Sequence, residues 1–166
     1  MPLVHLITFA DVTARTVVAL GSEPHKFTVA IPRAEQRHLR PVLGPALYDQ
    51  LRAFVEANPL ATTGPLAALA AEVKDMLASW AVVEAWPSLL GHIEAAGFVT
   101  KVGKSEGTST ADVQLADRTL ADLRETAGWQ SGELARWLAA RAADYPDWAA
   151  PGGAPATEML LGGLLL

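Results

Sequence analysis

The chain has 166 residues, 51% apolar and 19% charged, with a net charge of −5 and no cysteine. That is enough apolar sequence for the core of one ordinary domain and too little net charge for a disordered chain. A disulfide framework or thiolate zinc site is excluded outright, and the acidic balance argues against a general binder of nucleic acid or anionic membranes while leaving room for local basic patches.

The opening MPLVHLITFADV has no basic segment ahead of its apolar stretch, which His5, Thr8 and Asp11 interrupt, so it does not read as a signal peptide. Thr8 with Asp11 three residues on predicts a capped first helix, running to about Leu20 and stopping at Gly21-Ser22. Glu23 to Ile31 reads as a connector with a short extended piece at Phe27-Thr28-Val29. From Pro32, suited to a first helical turn, PRAEQRHLR predicts a second helix that Pro41 and Gly44-Pro45 interrupt. A further helix from Pro45 to about Ala57 places Leu47, Leu51, Phe54 and Val55 on one side, and Asn58-Pro59 and Thr62-Thr63-Gly64-Pro65 mark a loop.

The strongest periodicity follows. Leu66, Leu69, Val73, Met76, Leu77, Trp80 and Val83 recur at three- and four-residue steps, predicting an amphipathic helix that ends near Trp86-Pro87. Residues 91–110, punctuated by Gly91, Gly97, Gly103 and Gly107, read as a long loop or short hairpin with a strand-like piece at Phe98-Val99-Thr100. Ser109 and Asp112 open a last long helix, to about Ala143, in which Gly128 and Gly132 predict a bend or a close helix contact. Tyr145-Pro146-Asp147-Trp148 stops it. The expected architecture is mainly α: a small helical bundle over residues 1–148, a flexible Pro/Gly linker over 149–158, and an apolar tail over 159–166. The tail, Met159 to Leu166, falls far short of the roughly 20 residues that span a bilayer. It reads either as a segment that docks into a groove, its own or a neighbour's, or as a terminal strand laid on the domain's core.

Chemistry-bearing patterns are sparse. His5, His25, His38 and His92 lie in separate segments with no metal-ligand spacing. Gly103-Lys104-Ser105 has a trace of a phosphate-binding loop, but Phe98 stands where that motif needs glycine. Asp112, Asp117, Asp122 and Glu125, interleaved with Arg118 and Arg124, read as a solvated helix face. These patterns predict a chain that is not an enzyme and holds no cofactor. The one concentration of positive charge is Arg33, Arg37, His38 and Arg40. It suits nucleic acid or an acidic neighbour across a subunit interface, and the lack of interleaved aromatics favours the interface. Among five tryptophans, Trp80 and Trp137 fall on core stripes, whereas Trp129 and Trp148 fall off them and are candidate interface anchors.

From Ile31 to Leu51 the string IPRAEQRHLRPVLGPALYDQL resembles a signature of phage head–tail connector (adaptor) proteins. The matching positions are Glu35-Gln36-Arg37, Leu39, Pro41, Leu43-Gly44, Leu47-Tyr48 and Leu51. Phe98-Val99-Thr100-Lys101 with Ser105, the Tyr145 to Trp148 terminus and the stretch from Leu6 to Val12 match in the same order, so the resemblance spans about residues 6 to 148. Where family members often carry a longer, more polar helix after the loop, this one is alanine-rich with two glycines.

The resemblance implies a structural virion protein of a tailed phage or phage-like particle, made in the host cytoplasm and placed at the head–tail junction. Such proteins form a homo-oligomeric ring, commonly of twelve, between the portal protein and a tail or stopper protein. DNA passes through the lumen without specific binding, and no membrane is involved. The candidate interface residues are then Arg33, Arg37, Arg40, Lys101, Lys104 and Trp148, with Met159, Leu160, Leu161, Leu164, Leu165 and Leu166 of the tail. The alternative is a helical regulatory module that binds DNA or protein through the Arg33 to Arg40 cluster.

Overall fold

The computed structural model describes residues 5–16, 23–96 and 110–148, with side chains described over 5–16, 23–89 and 114–148. The mainly helical bundle read from the sequence is what the chain forms, with no strand among the described residues. Helix α1 spans Phe9–Arg15. Its capping box is complete: Thr8 Oγ1 accepts from the Asp11 N–H (3.2 Å) and Asp11 Oδ2 accepts from the Thr8 N–H (2.9 Å). The helix stops five residues before Leu20, where it was expected to end. Thr16 turns extended at φ −133°, and it opens the run Thr16-Val17-Val18, whose β-branched side chains are poor helix formers. Residues 17–22 fall outside the described set.

Phe27-Thr28-Val29 is not extended. A 3-10 turn occupies Pro24–Phe27, and Thr28 is also in the right-handed helical region. Phe27 is fully buried, with its ring 5.2 Å from that of Phe9. Burying a phenylalanine is worth about 2 kcal/mol, more than the strand preference of this short piece.

Helix α2 (Ala30–Ala34) runs into a π-turn (Glu35–Leu39) and then α3 (Arg40–Leu43). Pro41 therefore does not break the helical path. The Arg40 N–H reaches five residues back to the Glu35 carbonyl, and a wider turn gives room to a proline that has no N–H and would crowd the carbonyl four residues before it. The break comes at Gly44, with φ +76° and ψ 158°, a backbone region reserved for glycine. Helix α4 then spans Pro45–Ala57 with Leu47, Tyr48 and Leu51 buried.

Helix α5 (Pro65–Ala96) is the axis of the bundle, and α1, α2, α4 and α6 all pack against it. Leu69, Val73, Met76 and Leu77 are almost wholly buried, each contributing roughly 1.5–3 kcal/mol. It does not end at Trp86-Pro87. Pro87 lies inside it, exposed, one residue after a buried Trp86, and tertiary packing holds the helix through a proline that costs about 3 kcal/mol in isolation. The loop or hairpin expected over 91–110 is corrected at its start, since residues 91–96 belong to α5; α6 begins at Thr110, directly after the Ser109 that was read as opening it. The strand-like piece at Phe98-Val99-Thr100 lies outside the described residues.

Helix α6 (Thr110–Ala139) lies on α5 and ends four residues short of Ala143. A Cβ on Gly128 or Gly132 would meet nothing within 4 Å, so neither marks a close helix contact. Turns over 140–147 fold the chain back: the Tyr145 hydroxyl donates to the Pro65 carbonyl (2.7 Å), and Trp148 reaches α3.

Candidate functional site

The basic cluster is a real surface. Arg33, Gln36, Arg37 and Arg40 are all exposed along α2, the π-turn and α3. Their backing, however, was not legible as a cluster. Glu84 of α5 accepts from Arg37 Nη1 (3.3 Å) and sits 3.0 Å from His38 Nε2. Because a carboxylate only accepts, His38 presents an N–H at that nitrogen. The His38 ring lies flat on Trp80, with centroids 3.6 Å apart and planes 3° from parallel. The Trp80 indole N–H donates to Ser131 Oγ (3.0 Å), which donates to the Ala127 carbonyl (2.9 Å). Ion pairing, a ring stack and two hydrogen bonds in series thus tie the arginine face through α5 to α6. Its signal in the sequence is Glu84 itself, the lone acid in the apolar run AVVEAW.

The three arginines are not equivalent. Arg37 is engaged by Glu84. Arg40 reaches Gln36 Oε1 (3.4 Å) and stands 6.0 Å from the Tyr48 ring centroid, at the limit of a cation–π contact. Arg33 has no ion-pair partner among the described residues.

Behind this face the π-turn turns Glu35 inward, where it is 2% exposed. Its Oε1 accepts from the Leu6 N–H at 2.7 Å, a short charge-assisted bond that pins the segment before α1. The Tyr48 hydroxyl lies 3.4 Å from its Oε2 and accepts from Gln36 Nε2 (3.1 Å). Burial, and after it the Glu35 charge, pushes the Tyr48 phenol above its usual range, so it stays a donor. His5 Nδ1 stands 3.5 Å from Glu35 Oε2 without forming a hydrogen bond. A buried acid fully occupied in holding an N-terminal segment is a structural element, not a free acid–base group.

On the opposite end of the bundle's chemistry, α1 is clamped to α5. Lys74 Nζ meets Asp11 Oδ1 (2.9 Å) and Arg15 Nε meets Asp75 Oδ1 (2.8 Å). Burial pushes the Asp11 carboxyl upward, but the Thr8 backbone, Lys74 and the Thr8 hydroxyl together outweigh it and hold the group below the usual carboxylate range.

Trp148 is not available on the surface as an anchor for a partner. It is 9% exposed and belongs to the chain's own core, donating its indole N–H to the Val42 carbonyl (2.9 Å). That carbonyl lies in the last turn of α3, where helix carbonyls lack partners of their own. Trp129, by contrast, is 62% exposed on α6, as is Leu115 at 65%. Lys101, Lys104, Met159, Leu160, Leu161, Leu164, Leu165 and Leu166 lie outside the described residues. Among the described residues no three His, Asp or Glu side chains converge as a metal site would require. No described helix is long and apolar enough to cross a membrane.

A protein-family model described as a family of unknown function, DUF6712, matches residues 39–158, from the end of the π-turn through α6 and beyond. No curated protein and no solved structure matches the chain.

Proposed function

The chain belongs to DUF6712, a family of unknown function; on its own residues we propose that it is a structural adaptor of a tailed phage or phage-like particle, forming a ring between portal and tail around the DNA channel. The observation that carries this reading is the behaviour of the string from Glu35 to Leu51 on which the resemblance to head–tail connectors rests. Its apolar members Leu39, Leu43, Leu47, Tyr48 and Leu51 are all buried, Gly44 makes the one turn its backbone requires, and Arg37 and Arg40 face outward between them. The matching positions thus form one packed unit that presents a charged face, which is how a scaffold for subunit contacts is built. A ring multiplies weak contacts: each copy needs only modest affinity for portal or tail, because the others are held nearby at high effective concentration.

Co-production with the portal protein of the same particle, followed by electron microscopy, tests the reading. A ring of this chain seated on the portal is the expected image. Particles that attach tails normally when the gene is deleted overturn it. Removing residues 159–166 should leave the melting temperature unchanged and abolish attachment; attachment that survives removes the tail from the docking role.

The exposure of Arg33, Arg37 and Arg40 on one face also favours a second reading, a module that binds nucleic acid. With Arg37 drawn toward Glu84, two or three phosphate contacts are available, giving a salt dependence of log K against log salt of about −2 to −3. A gel shift on duplex DNA that disappears with salt at that slope supports it, and no shift at low salt removes it.

A further inference from the structure

Four large apolar side chains are prominently exposed among the described residues, and three of them lie on just two helical faces: Val29 at 55%, Leu115 at 65% and Trp129 at 62%. Val29 immediately precedes α2, four residues before Arg33, so one face reads Val29, Arg33, Gln36, Arg40, every member exposed. On α6, Leu115, Asp122, Glu125 and Trp129 fall within about 80° of one another at 100° per residue, and all four are exposed. Between Leu115 and Trp129, Arg118 is the single base on that arc against two acids, and farther along α6 the same arc adds Glu133 and Arg136, which pair with each other and leave the arc acidic. The two stripes run for comparable lengths, about 16 Å and 21 Å at 1.5 Å per residue. One is basic with an apolar end; the other is acidic with apolar ends and an aromatic face that suits a guanidinium.

Complementary faces on one molecule describe a heterologous contact, in which a surface of one copy meets a different surface of the next, and such contacts close into rings when the rotation allows. We infer that the arginine face of one copy packs on the Trp129 face of α6 in the next, with Arg33 and Arg40 meeting Asp122 and Glu125. The inference rests on the ring reading and names its subunit contact. Trp129 supplies the rigid aromatic anchor, and the charges set register and partner orientation. Gln36 lies within the contact, next to Arg40, and Arg37 stands beside it, held back by Glu84.

The chain has no cysteine, so introduced thiols report one contact each. Two singly substituted full-length chains, Arg40→Cys and Glu125→Cys, are mixed and oxidised. The expected product is the mixed disulfide dimer, with little disulfide when either chain is oxidised alone. Adding Arg33→Glu to the first chain should cut the mixed yield at least tenfold, and adding Asp122→Arg to the second should restore it. Homotypic dimers from Glu125→Cys alone, no mixed dimer, or a yield indifferent to both charge reversals each overturn the inference. The substituted positions are exposed, and circular dichroism confirms that the variants fold. A mixed dimer from a chain that never joins a portal defeats the adaptor reading and leaves the contact standing; a portal-bound ring without the mixed dimer does the reverse.

Discussion

Removing the Glu35 carboxylate tests whether the π-turn acid is a structural latch. Glu35 is 2% exposed and accepts the Leu6 N–H at 2.7 Å in a buried setting. Glu35→Ala deletes a charge-assisted bond worth about 1.5–3 kcal/mol and leaves a buried N–H unsatisfied. The void left by the missing carboxyethyl portion adds to this, so the loss is about 3 kcal/mol in all. Glu35→Gln keeps the volume and an amide oxygen that can still accept from Leu6, so it should cost only about 1 kcal/mol. His5→Ala should stay within about 0.5 kcal/mol, because its contact with Glu35 is long and one partner is part-exposed. Urea unfolding measures all three, and a chain of this size shifts in Tm by about 2–4 °C per kcal/mol, so Glu35→Ala should melt about 6–12 °C lower. An alanine variant within 0.5 kcal/mol of the parent refutes the latch. A glutamine variant as damaged as alanine refutes the acceptor argument, since charge rather than geometry would then govern.

Glycines should split by backbone. Gly44→Ala, at φ +76° and ψ 158°, should cost about 1–3 kcal/mol, whereas Gly128→Ala and Gly132→Ala, with open space at the new methyl, should each gain about 0.5–1 kcal/mol in thermal melts. Asp11 is held below its ordinary pKa of 3.8 in the folded chain, so between the folded and unfolded values the unfolded state binds more protons. Its contribution is therefore present above about pH 4 and lost as pH falls through the folded pKa; Asp11→Asn should flatten the acid limb of the stability–pH curve there and leave its neutral shape alone. Trp148→Ala should cost about 3–5 kcal/mol, and Tyr145→Phe, which removes only the bond to the Pro65 carbonyl, about 1 kcal/mol; equal losses from the two would contradict the placement of Trp148 in the core.

Short-range chemistry was written plainly in the sequence. The Thr8–Asp11 capping box, the Pro45 start of α4, the loop around Gly64 and the buried stripe of α5 each depend on residues within one or two turns, and each stands where the pattern put it. So did the arginine face, because a surface charge needs no partner to be found. Where the structure departs from the local pattern, packing supplies more free energy than local preference does. Phe27 gave up an extended conformation to be buried, α5 ran through Pro87 behind a buried Trp86, and Pro41 was taken up by a widened turn that aims Glu35 at the Leu6 N–H. Trp148 looked like a surface anchor because nothing in its neighbours names Val42 as its acceptor, 106 residues earlier in the chain. Sequence alone determined the helical class, the Thr8 cap, the breaks at Gly44 and around Gly64, and the outward-facing arginines. The tertiary structure alone decided which acids are buried, which tryptophan is core and which is exposed, and how Glu84 restrains one arginine of three, since each of those depends on side chains brought together from distant parts of the chain.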